Sequence, residues 1–167
     1  QESGSVLTNV YILEDDFSSG TAMMGWGNNS TRQVIDGVHQ MTNPSEVNSW
    51  EAQAGYDFSA PLTEGTTYFL KMKIKGSVAG SIGAVFQKPD GFAGRGDFPS
   101  IPITTEWEEV TVFTNCTGDA ATRILFNYGK YAGTIYIDDL SIYWQKSGNT
   151  IPLTPEEKEE ILSLIHI

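Results

Sequence analysis

Thr67-Tyr68-Phe69-Leu70-Lys71-Met72-Lys73-Ile74-Lys75-Gly76 alternates without a break. Tyr68, Leu70, Met72 and Ile74 fall on one side, and Phe69, Lys71, Lys73 and Lys75 on the other. Successive side chains of an extended chain point to opposite faces, so this stretch reads as a strand with one buried face and one mostly solvated face. The same period recurs on either side of it, over Val10–Phe17, Ser49–Tyr56, Ser81–Gln87, Glu106–Phe113, Thr122–Tyr128 and Thr134–Trp144. Within Arg32–Gln40, Asp36-Gly37 separates Val34-Ile35 from Val38. A two-residue type I′ turn needs positive φ at both central positions, which Asp-Gly accepts, so a hairpin is expected there. Leu62-Thr63-Glu64-Gly65 and Asn115–Gly118 read as further turns. About eight or nine strands with short connections predict an all-β protein, an antiparallel β-sandwich of the jelly-roll kind.

The end of the chain changes character. Thr154 is a good N-cap, Pro155 suits the first helical position, and Glu157 stands where a capping box closes. Ile161, Leu162 and Ile165 follow as an apolar stripe, so a short C-terminal helical tail is expected. The expected division is a leader or linker over 1–12, the sandwich over 13–146, and a linker with the helix start of a neighbouring domain over 147–167.

With 167 residues, the chain is long enough to bury a core. Its net charge of −11 argues against nucleic acid, whose phosphates require a basic surface. A neutral glycan is not repelled by such a surface, and its carboxylates suit Ca2+. Cys116 is the sole cysteine, so no internal disulfide forms; it reads as a small buried residue. No apolar run approaches the roughly 20 residues of a membrane span. Neither His39 nor His166 has neighbours spaced as transition-metal ligands. A monomer is expected.

A set of short motifs appears in order: Leu13-Glu14-Asp15-Asp16-Phe17-Ser18-Ser19-Gly20, then Gly25-Trp26, Trp50-Glu51-Ala52-Gln53 and Leu62-Thr63-Glu64-Gly65-Thr66-Thr67-Tyr68. Thr105-Glu106-Trp107, Leu125-Phe126-Asn127-Tyr128-Gly129 and Gly133-Thr134-Ile135-Tyr136-Ile137-Asp138-Asp139-Leu140-Ser141-Ile142 follow. From Leu13 to Trp144 this order and spacing resembles the carbohydrate-binding modules of families 4, 9 and 22. The resemblance implies a jelly roll with a cleft on its concave sheet, binding to internal stretches of xylan or β-glucan, and a structural Ca2+ away from the cleft. Leu153-Thr154-Pro155-Glu156-Glu157-Lys158-Glu159-Glu160-Ile161-Leu162 is similar to a helix opening of family 10 xylanases. That second likeness favours xylan, a covalently linked catalytic domain from which the module is excised, and a secreted or cell-surface bacterial setting.

A pyranose ring has apolar C–H faces and polar edges, so its site needs flat aromatic rings with planar donors and acceptors beside them. Trp50, flanked by Asn48, Ser49 and Glu51, has poor core companions; with Gln53 it is expected in the cleft, as the family pattern implies. The Gly-rich stretch Gln87–Pro99 offers Phe92 or Phe98 as a second ring, and Arg95 as a donor to hydroxyls or as an ion-pair partner of Asp97. Arg123, Leu125 and Asn127 share one strand face, opposite Ile124, Phe126 and Tyr128; if the aliphatic face is core, Asn127 looks into the cleft. Gln87, Trp26 and Asn28 are further candidates, Trp26 having a packing role as its alternative. Trp107 is expected to pack against the sandwich. For the metal, the resemblance points to Asp16 on the first strand and Asp138 on the last, with Ser18 standing where an acidic residue is usual.

Glu106, Glu108 and Glu109 cluster on one strand, but alternating Glu reads as a solvated face, and no hydrolase signature surrounds them. A non-catalytic binding module is therefore expected, with a β-glucan ligand as one alternative and a sugar-free structural spacer as the other. Clustered exposed aromatic rings would separate binding from spacing.

Overall fold

The Thr67–Gly76 stretch folds as its alternation requires, with Tyr68, Leu70, Met72 and Ile74 buried and Lys73 exposed. The computed structural model describes residues 5–27, 29–149, 155–156 and 159–160. Its strands are β1 (Ser5–Asp15), β2 (Met24–Trp26), β3 (Thr31–Ile35), β4 (Val38–Asn43), β5 (Gln53–Asp57) and β6 (Thr67–Gly76). The remainder are β7 (Gly80–Lys88), β8 (Ala93–Asp97), β9 (Ile101–Ile103), β10 (Glu108–Asn115), β11 (Arg123–Asn127) and β12 (Gly133–Asn149). One sheet has the order β10-β6-β12-β4-β3, with β1 also on β12; the other has β2-β5-β11-β7-β8, with β9 also on β7. The expected all-β sandwich is the observed architecture.

Residues 11–144 form one compact unit, and residues 1–10 with 145–167 form another. Within the smaller unit Gln145 Nε2 donates to Asn9 Oδ1 at 3.2 Å. Residues 155–156 and 159–160 are helical. The capping pair Thr154 and Glu157 and the stripe Ile161, Leu162 and Ile165 lie outside the described residues.

Core and surface alternate along each strand of the larger unit. Ile82, Ala84 and Phe86 of β7 and Ile124 and Phe126 of β11 point inward, where they meet Leu70, Met72 and Ile74 of β6. Phe86 receives the edges of Tyr68 and Phe98 at centroid distances of 5.7 and 5.0 Å. The Asp36-Gly37 turn joins β3 to β4 with φ of 52° and 74°, as type I′ chemistry demands. β12 changes parity part-way: Ile135 and Ile137 face the core, then Leu140 and Ile142 do. A bulge between Asp138 and Ser141, with Asp139 at φ 47°, makes the switch.

Two readings of the sequence need correction. Ser49–Glu51 is a 3-10 turn rather than the start of a strand, and β5 begins only at Gln53. The short strands β2, β8 and β9 also went unread, because three to five residues carry too little alternation to register.

β4 sends two polar side chains into the interior. His39 is fully buried; its Nε2 accepts the Met23 N–H at 3.1 Å, and its ring lies 5.1 Å from that of Phe17. Asn43 Nδ2 donates to the carbonyls of Tyr128, Gly129 and Tyr131 at 3.3, 3.0 and 2.9 Å. The Met23 N–H relies on His39, and the Tyr131 carbonyl on Asn43; the Tyr128 and Gly129 carbonyls also accept from Tyr131 N and Val47 N.

Replacing Asn43 by Ala is expected to destabilise the fold by about 1–3 kcal/mol, since the buried Tyr131 carbonyl loses its donor while those of Tyr128 and Gly129 keep a backbone one; urea denaturation measures it. Burial first, and Arg32 second, lower the His39 pKa from 6.5 to about 4. A base whose folded pKa lies below its unfolded value loses stability as pH falls. The His39 contribution is therefore complete above pH 6.5 and is lost as pH drops towards 4, a change worth about 3 kcal/mol. Melting curves across that range will show whether His39→Gln flattens the dependence.

Candidate functional site

The strands that send Ile124, Phe126, Ala84 and Phe86 into the core present their alternate residues on the far face of the sheet. Cross-strand register assembles those residues into rows. Trp26 stands opposite Gln53, Gln53 opposite Asn127, and Asn127 opposite Gly83. In the next row Gly55 lies opposite Leu125 and Leu125 opposite Val85; beyond it Asp57, Arg123 and Gln87 align. A cleft of about 470 Å³ lies over these rows, and the side chains of Trp50 and Phe92 also line it. Its floor mixes amides with two aliphatic patches, Val85 and Leu125. Leu125 is only 3% exposed yet belongs to this face, not to the core.

The rings are placed by backbone turns. Trp50 sits on the 3-10 turn Ser49–Glu51, 63% exposed. Asn48 Nδ2 donates to Glu51 Oε1 at 2.6 Å, and Gly129 N donates to the Ser49 carbonyl at 3.0 Å. A Cβ at Gly129 would overlap the Asn48 carbonyl, so glycine is what lets the two segments lie together. Phe92, 79% exposed, ends the turn Asp90–Phe92. Gly91 and Phe92 have φ of 78° and 54°; the second is costly for a bulky residue.

The polar floor is pre-arranged. Gln53 Nε2 donates to Asn127 Oδ1 at 2.8 Å. Gln53 Oε1 and Asn127 Nδ2 remain as an acceptor and a donor side by side, the pattern that two neighbouring hydroxyls match. Gln87 Oε1 is buried without a hydrogen-bond partner among the described residues. Arg123 forks onto Asp57, Nε to Oδ1 at 2.6 Å and Nη2 to Oδ2 at 3.2 Å, and its guanidinium lies 4.8 Å from the Trp26 ring centroid. Hydrogen bonding to Asp57 raises the Arg123 pKa above its ordinary value, so the pair is a fixed, mutually neutralised element.

Of the residues singled out from sequence, Trp26, Trp50, Gln53, Gln87, Phe92 and Asn127 come together on this cleft. Asn28 lies outside the described residues. Phe98, the alternative to Phe92, is 6% exposed and packed in the core. Arg95 does not reach the cleft. Gly94 stands opposite Gln87, so alternation turns Arg95 to the other face, where Nε and Nη2 bind the Asp119 carbonyl and carboxylate at 2.7 and 3.1 Å. Its ionic partner is Asp119, not Asp97. Arg123, Leu125, Val85 and Ser49 were not named as site residues; the first two were legible, since they share a strand face with Asn127. Trp107 is 41% exposed on the other sheet, where Lys75 Nζ lies 5.2 Å from its ring and 5.1 Å from that of Tyr136.

Asp16 and Asp138 each accept a neighbouring backbone N–H. Asp16 Oδ1 accepts the Ser18 N–H at 3.0 Å and Asp138 Oδ1 the Asp139 N–H at 2.8 Å. Among the described residues no group of three or more His, Cys, Asp or Glu side chains is placed to hold a metal ion. Glu109, in the acidic strand, faces Lys71 at 3.7 Å on the other sheet and has no part in the cleft.

No family model matches the chain, and no curated protein matches it. Solved structures do. The apo form of BiXyn10A CBM1 superposes with a TM-score of 0.65 at 22% identity, covering 80% of this chain and 97% of that one. The fold is that of carbohydrate-binding modules. A CBM4 structure gives a TM-score of 0.60 at 23% identity over 77% of this chain and 80% of its own. The second N-terminal cellulose-binding domain of Cellulomonas fimi β-1,4-glucanase C gives 0.63 at 20% identity over 82% and 95%. These neighbours agree with the family resemblance read from the motifs.

Arg123→Ala is expected to uncover Trp26 and to cost about 1 kcal/mol, the sum of a cation–π contact and a surface ion pair. A red shift in tryptophan emission with a small drop in melting temperature would report it; an unchanged spectrum would show that the contact does not hold the ring.

Proposed function

We propose that this domain is a non-catalytic module that binds internal stretches of a β-linked plant polysaccharide, xylan in particular, in the cleft lined by Trp26, Trp50 and Phe92. The observation that carries the reading is the pairing of those exposed rings with a floor of pre-oriented amides. Aromatic faces take the C–H faces of a pyranose, and Gln53, Asn127 and Gln87 supply acceptors and donors for its hydroxyls. A spacer has no need to leave Trp50 and Phe92 63% and 79% exposed on one cleft. The preference for xylan over β-glucan rests on the family 10 xylanase likeness at the chain's end and on the name of one structural neighbour, BiXyn10A CBM1.

In this reading the module does no chemistry. It holds a covalently linked glycanase against its substrate, and the gain is one of effective concentration. Affinity per site is modest, because each sugar gives up water hydrogen bonds on binding. A polymer too large to cross a membrane places the work at the cell surface or outside the cell.

Titration calorimetry with xylohexaose beside cellohexaose, on wild type and Trp50→Ala, tests the proposal. Xylohexaose is expected to bind, and Trp50→Ala to weaken it about tenfold or more, a loss of at least about 1.4 kcal/mol. Tighter binding of cellohexaose would keep the site and replace xylan by a β-glucan. Absence of heat with either sugar, from folded protein, would remove the polysaccharide reading.

A further inference from the structure

The ring-lined cleft does not end at Asn127. A second depression of about 490 Å³ begins there, sharing Ser49, Val85 and Asn127 with the first. Its floor continues the outward row of β7 through Gly83 to Ser81, and Asp97, Ser100 and Lys130 line it as well. Gly83 forms the junction. A Cβ added there meets no atom within 4 Å, so no packing requirement calls for glycine; its missing side chain leaves the passage open.

The chemistry changes across that junction. Phe98, the sole aromatic ring among the described residues that line the extension, is 6% exposed and packed edge-on against Phe86, so it offers no stacking face. In place of rings stand the hydroxyls of Ser49, Ser81 and Ser100 and the ammonium of Lys130. Lys130 is exposed and makes no ion pair among the described residues, whereas Arg123 in the main cleft is neutralised by Asp57. Its backbone is held in place, because Asn43 binds the carbonyls of Tyr128, Gly129 and Tyr131 around it. Asp97 lies across β7 from it, on β8 opposite Val85.

We infer that this extension receives a carboxylate-bearing branch, a uronic-acid substituent on the polysaccharide whose backbone lies in the ring-lined cleft. The inference rests on the polysaccharide reading above. Lys130 pairs with the carboxylate, the serine hydroxyls meet the branch's own hydroxyls, and Asp97 repels the acid from the β8 side and so orients it towards Lys130. A neutral backbone and a charged branch are thus recognised by different chemistry in adjoining parts of one groove.

The test is calorimetry on the full chain with unbranched xylohexaose and with a xylo-oligosaccharide bearing one 4-O-methylglucuronosyl branch. At low salt the wild type is expected to favour the acidic sugar about two- to fivefold, the range of an exposed ion pair. Lys130→Gln and high salt should each abolish that preference while leaving xylohexaose binding unchanged, and Asp97→Asn should increase it. Gly83→Leu, which fills the junction, should weaken the acidic sugar more than the unbranched one. Equal binding of both sugars by the wild type, or a preference that survives Lys130→Gln, overturns the inference while the polysaccharide reading stands. Binding of neither sugar removes both.

Discussion

One buried amide governs the end of the molecule where the site lies. Asn43 sits on β4, in one sheet, and its Nδ2 reaches three carbonyls in the turn that follows β11, in the other. Backbone donors also reach the Tyr128 and Gly129 carbonyls, but that of Tyr131 relies on Asn43, and an unpaired buried carbonyl costs about 1–3 kcal/mol. Fixing the turn fixes what rests on it. Val47 N donates to the Gly129 carbonyl at 2.7 Å and Gly129 N to the Ser49 carbonyl at 3.0 Å, so the segment carrying Trp50 is bonded to the segment carrying Lys130. A tryptophan 63% exposed to water has little of its own to hold it; its position is inherited from a polar contact inside the sandwich.

The same strands that close the core make the floor of the cleft, and this economy sets the character of the site. β7 and β11 are core on one face and cleft on the other, so neither the amides nor the aliphatic patches of the floor can shift without disturbing Phe86, Ile124 or Phe126. The rings have a different status. Trp50 and Phe92 stand on short turns, Trp26 on a three-residue strand, and none of the three belongs to the core cluster. A rigid hydrogen-bonding floor with rings on turns above it suits a chain of similar sugars: the floor fixes register, and the rings supply area.

What the sequence disclosed follows the strength of local constraints. Ten residues of alternation in β6 and the φ requirement at Asp36-Gly37 each have one low-energy solution, and both were readable. The cleft residues were readable for a related reason: Asn127 shares parity with Arg123 and Leu125, and Trp50 and Phe92 have neighbours unsuited to a core. Arg95 was misplaced because its orientation depends on where β8 begins, and a five-residue strand amid glycines gives no clear starting point. The bulge at Asp138–Ser141 hid in the same way; two consecutive acids interrupt the alternation, but only the parity of Ile135, Ile137, Leu140 and Ile142 together shows an inserted residue. His39 and Asn43 were beyond reach. Their burial is explained by partners 16 to 88 residues away, at Met23 and in the turn after β11, and no local rule points to those.

Charge divides the groove more sharply than shape does. The chain carries a net charge of −11, so its long-range field disfavours any anion. Inside the main cleft the one cation among the described lining residues is matched: Arg123 forks onto Asp57 and lies against Trp26, an arrangement that orders a ring and leaves no net charge for a ligand to neutralise. On the proposed reading such a surface favours uncharged polymers, since a charged backbone would lose hydration without gaining a counter-ion. Past Gly83 the charges stand apart: Lys130 makes no ion pair among the described residues, and Asp97 lines the same depression from β8. At physiological salt the field of the whole chain is screened beyond about 8 Å, so a bound acid feels chiefly the charges next to it. Local recognition of an acid by Lys130 is therefore compatible with an acidic protein, and because the lysine is exposed, salt weakens that attraction together with the repulsion from the rest of the chain.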